Sequence, residues 1–224
     1  MSGLFISGTD TGIGKTLVAT ALLRALVEGG ARAVGMKPVA AGISPGATVN
    51  ADVGALIAAG NVEASLADVN PYSFALAIAP HLAAERSGVA IDLGTIAAAY
   101  DRLSARADVV IVEGAGGVLV PLGATADMLD VAAQLHLGVV LVVGIRLGCL
   151  NHALLSAQAV SARGIVLAGW IANRIDPAMD AADDNVAALA ARLPAPLVAD
   201  IGWCTGTEPG TSVAPEALRT LGIR

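Results

Sequence analysis

The chain has 224 residues, 55% of them hydrophobic but only 3% aromatic, and a formal net charge of −6 at pH 7. Its length suits one domain over residues 1–224, and its richness in Ala, Val, Leu, Ile and Gly is typical of parallel strands covered by helices. The acidic charge and the lack of a basic run argue against nucleic acid as a partner and favour small molecules.

The sequence predicts neither a membrane protein nor a secreted one. The longest apolar run, Leu137 to Ile145, is about half a membrane span and indicates a buried strand. No signal-peptide pattern opens the chain, so the cytoplasm is the expected location. Cys149 and Cys204 stand far apart without metal-site spacing, which argues against zinc and against a disulfide scaffold.

Apolar runs alternate with helical patterns along the chain. The predicted strands are GLFIS, RAVGMKPV, ADVVIVEG, LGVVLVVG, IVLAGWIAN and APLVADIG, and the predicted helices include residues 15–28, 93–106, 151–163 and 180–192. This order predicts an α/β fold with three layers, α/β/α, in which an open, mainly parallel sheet has helices on both faces. Residues 40–50 and 61–88 break the alternation and are predicted to be insertions that line a site.

The stretch GTDTGIGKT, residues 8–16, follows the first predicted strand and opens the first predicted helix. This context favours a phosphate-binding loop, and hence a P-loop NTPase-like fold, over a plain strand-to-helix turn. The usual spacing is G-x-x-x-x-G-K-[ST], but here Thr9 stands at the first glycine position and Gly8 comes one residue early.

The end of this loop predicts how phosphates would be held. The N–H groups of Gly12, Ile13 and Gly14 would face the phosphates at the positive end of the helix. Lys15 would neutralise the β and γ oxygens, and the Thr16 hydroxyl would face Mg²⁺.

Lysine is used sparingly. Of the 13 basic residues only Lys15 and Lys37 are lysine, and both stand at the ends of predicted strands. A lysine is a compact charge on a flexible stem, suited to following a small phosphoryl group. We therefore interpret Lys37 as functional rather than as an ordinary surface lysine.

Two acidic residues are candidates for a metal site. Glu113 stands at the carboxyl end of a predicted strand, where α/β proteins bind ligands, and is followed by glycines that allow a close approach of the backbone. Its carboxylate would hold Mg²⁺ directly or through water. Asp52 is a second candidate, although the sequence NADVGAL alone favours a helix N-terminal Asp.

Two further segments could contact ligands. Asn173, in WIANRID, could present its amide to a nucleotide base, whose identity stays open, or could be a strand-to-loop Asn followed by a salt-bridging Arg174. In RLGCLNHALL, the N–H groups near Cys149, Leu150 and Asn151 could form an anion site, and Asn151 is also a competent N-cap.

Four stretches in chain order, GTDTGIGKT, KPVAAG, VEGAGG and VVGIRLGCLNHALL, together resemble dethiobiotin synthetase. The resemblance spans nearly the whole chain, and the family shares the early glycine of the loop. It implies ATP- and Mg²⁺-dependent ring closure on 7,8-diaminononanoate with CO2. It also implies a homodimer in which the substrate carboxylate is reached by the neighbouring subunit.

The resemblance assigns roles residue by residue. Lys37 and Lys15 would be catalytic, and the Mg²⁺ ligands would be Thr16, Asp52 and Glu113. ATP would contact Gly12, Ile13, Gly14, Lys15, Thr16, Leu17, Asp52, Glu113, Gly114, Ala115, Gly116, Asn173, Arg174, Gly202, Trp203 and Cys204. The substrate would contact Thr11, Lys37, Ala41, Cys149, Leu150 and Asn151.

The sequence departs from the family pattern at Ala41, where the family commonly has Ser or Thr. Either the backbone N–H of Ala41 suffices for the substrate or a nearby hydroxyl such as Ser44 replaces the missing one. Glu208 is placed near the ribose only by a loose alignment.

Two other functions compete with the synthetase interpretation. A nucleotide switch of the partitioning ATPase or metal-delivery GTPase type shares the variant loop, but generally carries an extra loop lysine or a clear guanine motif. An amidating ligase of cobalamin biosynthesis would normally need a glutamine-hydrolysing domain, for which 224 residues leave no room.

Overall fold

The structure is a computed structural model that describes residues 3–203 and 214–223. The strands within these ranges are β1 Gly3–Gly8, β2 Ala33–Met36, β3 Val39–Ala41, β4 Tyr72–Phe74, β5 Val109–Glu113, β6 Gly138–Ile145, β7 Leu167–Arg174 and β8 Leu197–Ile201. The helices are α1 Lys15–Glu28, α2 Ala51–Ala59, α3 Leu66–Val69, α4 Pro80–Arg86, α5 Leu93–Ser104, α6 Met128–Gln134, α7 Cys149–Ala162, α8 Ala182–Ala190 and α9 Pro215–Thr220.

Six strands form one parallel sheet in the order β2-β5-β1-β6-β7-β8. Each of the six overlaps one of the predicted apolar runs, although RAVGMKPV is divided between β2 and β3, and the mainly parallel sheet is confirmed. Because the strands run in one direction, their carboxyl ends meet at a single edge, where α/β folds bind ligands. The register pairs Ile6 of β1 with Glu113 of β5, which brings the phosphate loop next to that carboxylate.

Alternate residues of each strand enter two separate apolar cores. On β1, Leu4 and Ile6 pack with α1, α2 and α9, whereas Phe5 faces the core that contains α5, α6 and α7. This alternation produces the predicted three layers, because successive side chains of a strand point to opposite faces. Full burial of a side chain such as Phe5 contributes about 1.5–3 kcal/mol to stability.

Residues 61–88, predicted as an irregular insertion, contain α3, β4 and α4, and β4 pairs in parallel with β3. The end of α3 in this insertion fixes the backbone around Lys37. The Lys37 N–H donates to the Val69 carbonyl at 2.8 Å, and the Asn70 amide donates to the Lys37 carbonyl at 2.6 Å. The insertion therefore positions a lysine that the sequence marked as functional.

Helix α7 begins earlier than predicted. It starts at Cys149, and its N-cap is Gly148 with φ 94°, a left-handed conformation that glycine adopts readily. Asn151 therefore lies within the first helical turn, and its predicted role as N-cap is wrong. Among the residues that the structure describes, no helix is both long and apolar enough to cross a membrane.

Two glycine-to-alanine changes should have opposite effects on stability. A Cβ at Gly144 in β6 would lie 2.7 Å from side-chain atoms of Ile13 and Ile175, whereas a Cβ at exposed Gly54 in α2 meets no atom within 4 Å. We expect G144A to lower the free energy of unfolding by about 1–3 kcal/mol through overpacking. We expect G54A to raise it by about 0.4–1 kcal/mol. Urea unfolding of both variants measures this, and a loss of the same size in both would contradict the packing described.

Candidate active site

The loop between β1 and α1 has the conformation of a phosphate cradle. Its start is held by the Thr9 N–H, which donates to the Val142 carbonyl of β6 at 3.0 Å. Gly12 and Gly14 have φ values of 73° and 88°, which favour glycine. The N–H groups of Gly12, Ile13 and Gly14 have no hydrogen-bond acceptor among residues 3–203 and 214–223. They therefore remain available to an anion at the N-terminus of α1.

Asn173 holds this loop from the end of β7. Its buried amide donates to the Ile13 carbonyl at 2.7 Å. A Cβ at position 14 would lie only 2.2 Å from the Asn173 Nδ2 atom, so this close approach requires the glycine at that position. Asn carries two donors and one acceptor group, and within the described ranges the second amide N–H and the amide oxygen of Asn173 have no partner.

Arg174 forms salt bridges, as the structural interpretation of WIANRID predicted. Its guanidinium contacts Asp200 at 2.7 Å and Asp183 at 2.6 Å. These two carboxylates tie the end of β7 to β8 and to the start of α8, and they raise the pKa of Arg174 above its already high ordinary value. The side chain is thus engaged in structure at the edge of the site.

Lys15 is buried at the first position of α1. Its Nζ atom donates to the Asp10 carbonyl at 2.7 Å, across the mouth of the loop. Burial, aided by the nearby charge of Lys37, lowers the pKa of Lys15 to about 8 against the opposing effect of the Glu113 carboxylate. The loop thus contains an ammonium group that loses its proton unusually easily.

Lys37 lies between two carboxylates. Its Nζ atom is 2.6 Å from Glu113 Oε1 and 2.8 Å from Asp52 Oδ2. Burial acts to lower the pKa of Lys37, but the two carboxylates outweigh it and raise that pKa above its ordinary value. Asp52 is partly buried, which acts to raise its pKa, but the neighbouring ammonium of Lys37 lowers it overall. Lys37 therefore stays charged at neutral pH, as does Asp52.

The third predicted metal ligand joins the same cluster. The Thr16 hydroxyl donates to Glu113 Oε1 at 2.8 Å. Glu113 is fully buried, and its Oε2 atom has no hydrogen-bond partner in the described parts of the chain. The structure thus brings Thr16, Asp52 and Glu113 together around Lys37.

Local sequence explains how Asp52 enters this cluster. It lies in the first turn of α2, and Asn50 is the N-cap whose side chain accepts the Asp52 N–H at 3.0 Å. The Asn50 amide also donates to the Gly42 carbonyl at 2.8 Å. Asp52 is therefore a residue of the helix N-terminus and also an ion-pair partner of Lys37, and its role as a metal ligand stays a prediction.

Sequence reasoning missed two asparagines that build the site, Asn50 and Asn70. Both are buried, and both use their amides to fix backbone next to Asp52 or Lys37. The available signals were the N-cap position in NADVGAL and the NPY sequence at the end of α3. Neither signal shows which distant carbonyl an amide will contact.

The glycine segment after β5 passes close to the phosphate loop. The Gly114 N–H donates to the Ile6 carbonyl at 2.9 Å, and Gly116 has φ 64°. A Cβ at Gly116 would lie 3.4 Å from the Thr11 hydroxyl, so the two segments nearly touch. Between them and α7 lies a cleft of about 390 Å³, lined by residues 9–11, 117–121 and 155–156. This volume falls in the range of small-molecule sites.

The start of α7 offers a smaller anion site than predicted. The Cys149 N–H donates to the Arg146 carbonyl at 3.0 Å, so it is already satisfied, and the Cys149 side chain is buried. The N–H groups of Leu150 and Asn151 have no acceptor within the described ranges. The predicted site at this helix start is thus reduced to two donors.

The remaining predicted contacts lie around this core or outside the described residues. Leu17 is buried in α1, Ala115 is half-buried in the glycine segment, and Ala41 ends β3 opposite Phe74. Gly202 and Trp203 are exposed after β8, and Trp203 lines a cavity of about 600 Å³ together with Arg174. Cys204 and Glu208 lie outside the described residues.

Comparison with known sequences gives matches over nearly the whole chain. The AAA domain family matches residues 2–211. The ATP-dependent dethiobiotin synthetase BioD of Aromatoleum aromaticum is 52% identical over 212 residues, which cover 94% of each chain. The protein of the same name from Nitrosospira multiformis is 53% identical over 196 residues, which cover 88% of this chain and 86% of its own.

Solved structures of more distant proteins share the fold. The MinD cell division protein of Aquifex aeolicus superposes with a TM-score of 0.54 at 15% identity, over 99% of this chain and 86% of that one. A ParA family ATPase from Chlorobium tepidum gives a TM-score of 0.54 at 14% identity, over 99% and 97%. At these identities the likeness shows the fold alone, and it confirms the P-loop NTPase-like architecture.

The lowered pKa of Lys15 predicts how anion binding depends on pH. Above pH 8 the free protein loses this ammonium, so we expect affinity for an anion of fixed charge, such as sulfate, to be about tenfold weaker at about pH 9 than at about pH 7. Between pH 8 and the ordinary value of 10.5, the folded state binds fewer protons than the unfolded chain, so the contribution of Lys15 to stability increases with pH. Calorimetry across this range measures the affinity. K15R keeps its charge and should show a flat profile, and an equally steep profile in K15R would contradict this assignment.

Proposed function

The chain belongs to the family of ATP-dependent dethiobiotin synthetases, and from this membership we propose the reaction that it catalyses. The reaction joins 7,8-diaminononanoate, also called 7,8-diaminopelargonate, to CO2 and closes the ureido ring of dethiobiotin in biotin biosynthesis, with ATP converted to ADP and phosphate. The observation that carries the proposal is the Lys37 ammonium between Asp52 and Glu113, beside a phosphate loop whose Thr16 contacts the same Glu113. We propose that residues 1–224 form one catalytic domain.

The chemistry requires an activated carbamate. One amine of the substrate attacks the carbon of CO2 and releases a proton, which gives a carbamate. A carbamate oxygen then attacks the γ-phosphorus of ATP, ADP leaves, and a carbamic-phosphoric anhydride forms. The second amine attacks the anhydride carbonyl and releases a proton, phosphate leaves, and the ring is closed. Anions accumulate at each stage, so cations fixed at the reacting centre would supply most of the catalysis.

We propose that Lys37 is one of the cations at the reacting centre. Its backbone is held on both sides by Val69 and Asn70, and its pKa is raised, so a charged group is kept in a defined place. We propose that this ammonium stabilises the carbamate and the charge that moves onto its phosphoryl group. Lys15 would contact the γ-phosphate, to which a group that is buried and poorly solvated binds strongly.

The cluster of oxygens around Lys37 also suits a magnesium ion. Magnesium prefers oxygen ligands, keeps several waters, and is usually bound by one or two carboxylates together with substrate phosphates. Thr16, Asp52 and Glu113 provide such a set, and the buried Oε2 atom of Glu113 lacks a partner among the described residues. We propose that these three residues hold Mg²⁺, which would neutralise charge on the phosphates.

The nucleotide is proposed to extend from the loop towards the end of β7. The cavity of about 600 Å³ beside Arg174 and Trp203 would take the base side of ATP. Asn173 has one amide donor and its acceptor oxygen left after its bond to Ile13, and these would suit adenine. Gly202 lies at the same end of the sheet, after β8.

The diamine is proposed to occupy the cleft of about 390 Å³, with its amines near Thr11 and Lys37 and its carboxylate at the start of α7. Leu119 and Leu155 line this cleft and are exposed, at 53% and 57%, and Leu147, in the turn before α7, is 91% exposed. Exposed apolar groups clustered around a site are typical of an interface. They support the proposal of a homodimer in which the neighbouring subunit helps bind the substrate carboxylate. We propose that this enzyme acts in the cytoplasm.

A nucleotide switch remains the alternative to test. MinD and the ParA family ATPase share the fold, but at 14–15% identity they carry no function to this chain. The two activities differ in what they need. A switch hydrolyses ATP without a diamine, whereas the proposed ligase requires one.

We expect dethiobiotin, identified by mass spectrometry, when the purified protein is incubated with the diamine, bicarbonate, ATP and Mg²⁺. Phosphate should be released only when all four are present, because the γ-phosphate is transferred to a carbamate rather than to water. Omission of each component in turn is the control. Equal phosphate release without the diamine would contradict the ligase proposal and favour the switch.

The two lysines should separate catalysis from binding. We expect K37A to lower the rate of dethiobiotin formation by about 10²- to 10³-fold while nucleotide affinity changes little, because Lys37 acts on charge that develops during the reaction. K15A should weaken both nucleotide affinity and rate. Steady-state kinetics and calorimetry with ATP provide the two measurements, and retained affinity shows that K37A is folded. A K37A rate equal to that of the parent protein would remove the catalytic role of Lys37.

A further inference from the structure

Asp10, in the middle of the phosphate loop, makes three contacts with three different groups. Its Oδ1 atom accepts the Thr11 N–H at 2.7 Å, and its carbonyl accepts the Lys15 ammonium at 2.7 Å. Its Oδ2 atom accepts a hydrogen bond from Arg146 Nη2 at 2.5 Å. One residue thus links the loop backbone, the loop lysine and a distant arginine.

Arg146 lies in the turn that connects β6 to α7. It follows β6 directly, and its carbonyl accepts the Cys149 N–H at 3.0 Å, which closes the turn at the helix start. The Asp10–Arg146 ion pair therefore joins the phosphate loop to the turn that carries the Leu150 and Asn151 N–H groups. No role for either charged group follows from the proposed reaction itself.

The location of the pair gives it an electrostatic consequence. Asp10 lines the cleft of about 390 Å³, so its carboxylate lies beside the place proposed for phosphates and carbamate. An unpaired carboxylate there would repel these anions, and Arg146 cancels its charge. Both side chains are nearly half exposed, at 47% and 42%, and ion pairs of that exposure contribute little to stability. Removal of this pair should therefore change the affinity for anionic ligands more than the free energy of unfolding.

We propose that Asp10 and Arg146 are a pair of positioning residues that couples the ATP site to the anion site at the start of α7. The pair neutralises Asp10 next to the phosphates and holds the loop against the helix start, so that ATP binding orders the site for the diamine carboxylate. This inference rests on the proposed function, because it assigns ATP to the loop and the carboxylate to α7.

Affinities test the coupling without turnover. Calorimetry with the full-length protein gives the dissociation constant of the diamine with and without a non-hydrolysable ATP analogue. We expect the analogue to tighten diamine binding at least about fivefold in the parent protein, and less than about twofold in R146Q. R146K keeps the charge and should retain part of the coupling. Full coupling in R146Q, or no coupling in the parent protein, would overturn the proposal.

The affinity of the protein for the ATP analogue is a second test, and it does not require the diamine. R146Q leaves Asp10 unpaired, so we expect about fivefold weaker analogue binding, and D10N in the R146Q background should restore most of it. Unchanged analogue affinity in R146Q, or no recovery in the double variant, would also overturn the proposal. If the parent protein forms no dethiobiotin, the proposed function fails, whereas this arm still decides the role of the pair.

Arg32 and Asp108 provide the matched control. Their ion pair is also short, at 2.6 Å, and exposed, at 63% and 49%, but it lies at the amino ends of β2 and β5, away from the loop. R32Q and D108N should leave the diamine coupling and the analogue affinity unchanged. A loss in R32Q equal to that in R146Q would show a general effect of surface charge and would overturn the specific assignment.

Discussion

The site depends on one ammonium group, that of Lys37, placed between two carboxylates. Burying Glu113 completely would be costly if its charge were unpaired, and removing the partner of such a group is strongly destabilising. Lys37 and the Thr16 hydroxyl compensate that charge on a single oxygen, Oε1. The phosphate loop, the interior strand β5 and the β2–β3 connection that carries Lys37 are therefore held in one arrangement by electrostatics as well as by packing.

The two lysines show how environment separates residues of one type. Burial acts to lower the pKa of both, but Lys37 has two carboxylates within ion-pair distance and its pKa rises. Lys15 donates to a neutral backbone carbonyl, so burial dominates and its pKa falls to about 8. One group is thus a permanent charge in the site, and the other is a charge that an incoming phosphate would stabilise.

The parallel sheet explains why these groups meet. Residues from β1, the β2–β3 connection, β5 and the start of α2 are separated by up to about a hundred positions in sequence, yet all lie at the carboxyl edge of the sheet. Small residues allow the final approach. Gly14 admits the Asn173 amide, and Gly116 admits the Val120 side chain, at distances where a Cβ would collide.

The sequence by itself determined the strand-and-helix order, the phosphate loop and the candidate residues Lys15, Lys37 and Glu113, because these depend on local patterns of apolar residues, glycines and charges. It left Asp52 undecided and placed the start of α7 two residues late, at Asn151 rather than Cys149. It also missed Asn50, Asn70 and the Asp10–Arg146 pair. Only the tertiary structure decided these, because each depends on a contact with a distant part of the chain, and neither periodicity nor local spacing specifies which distant atoms the folded sheet brings together.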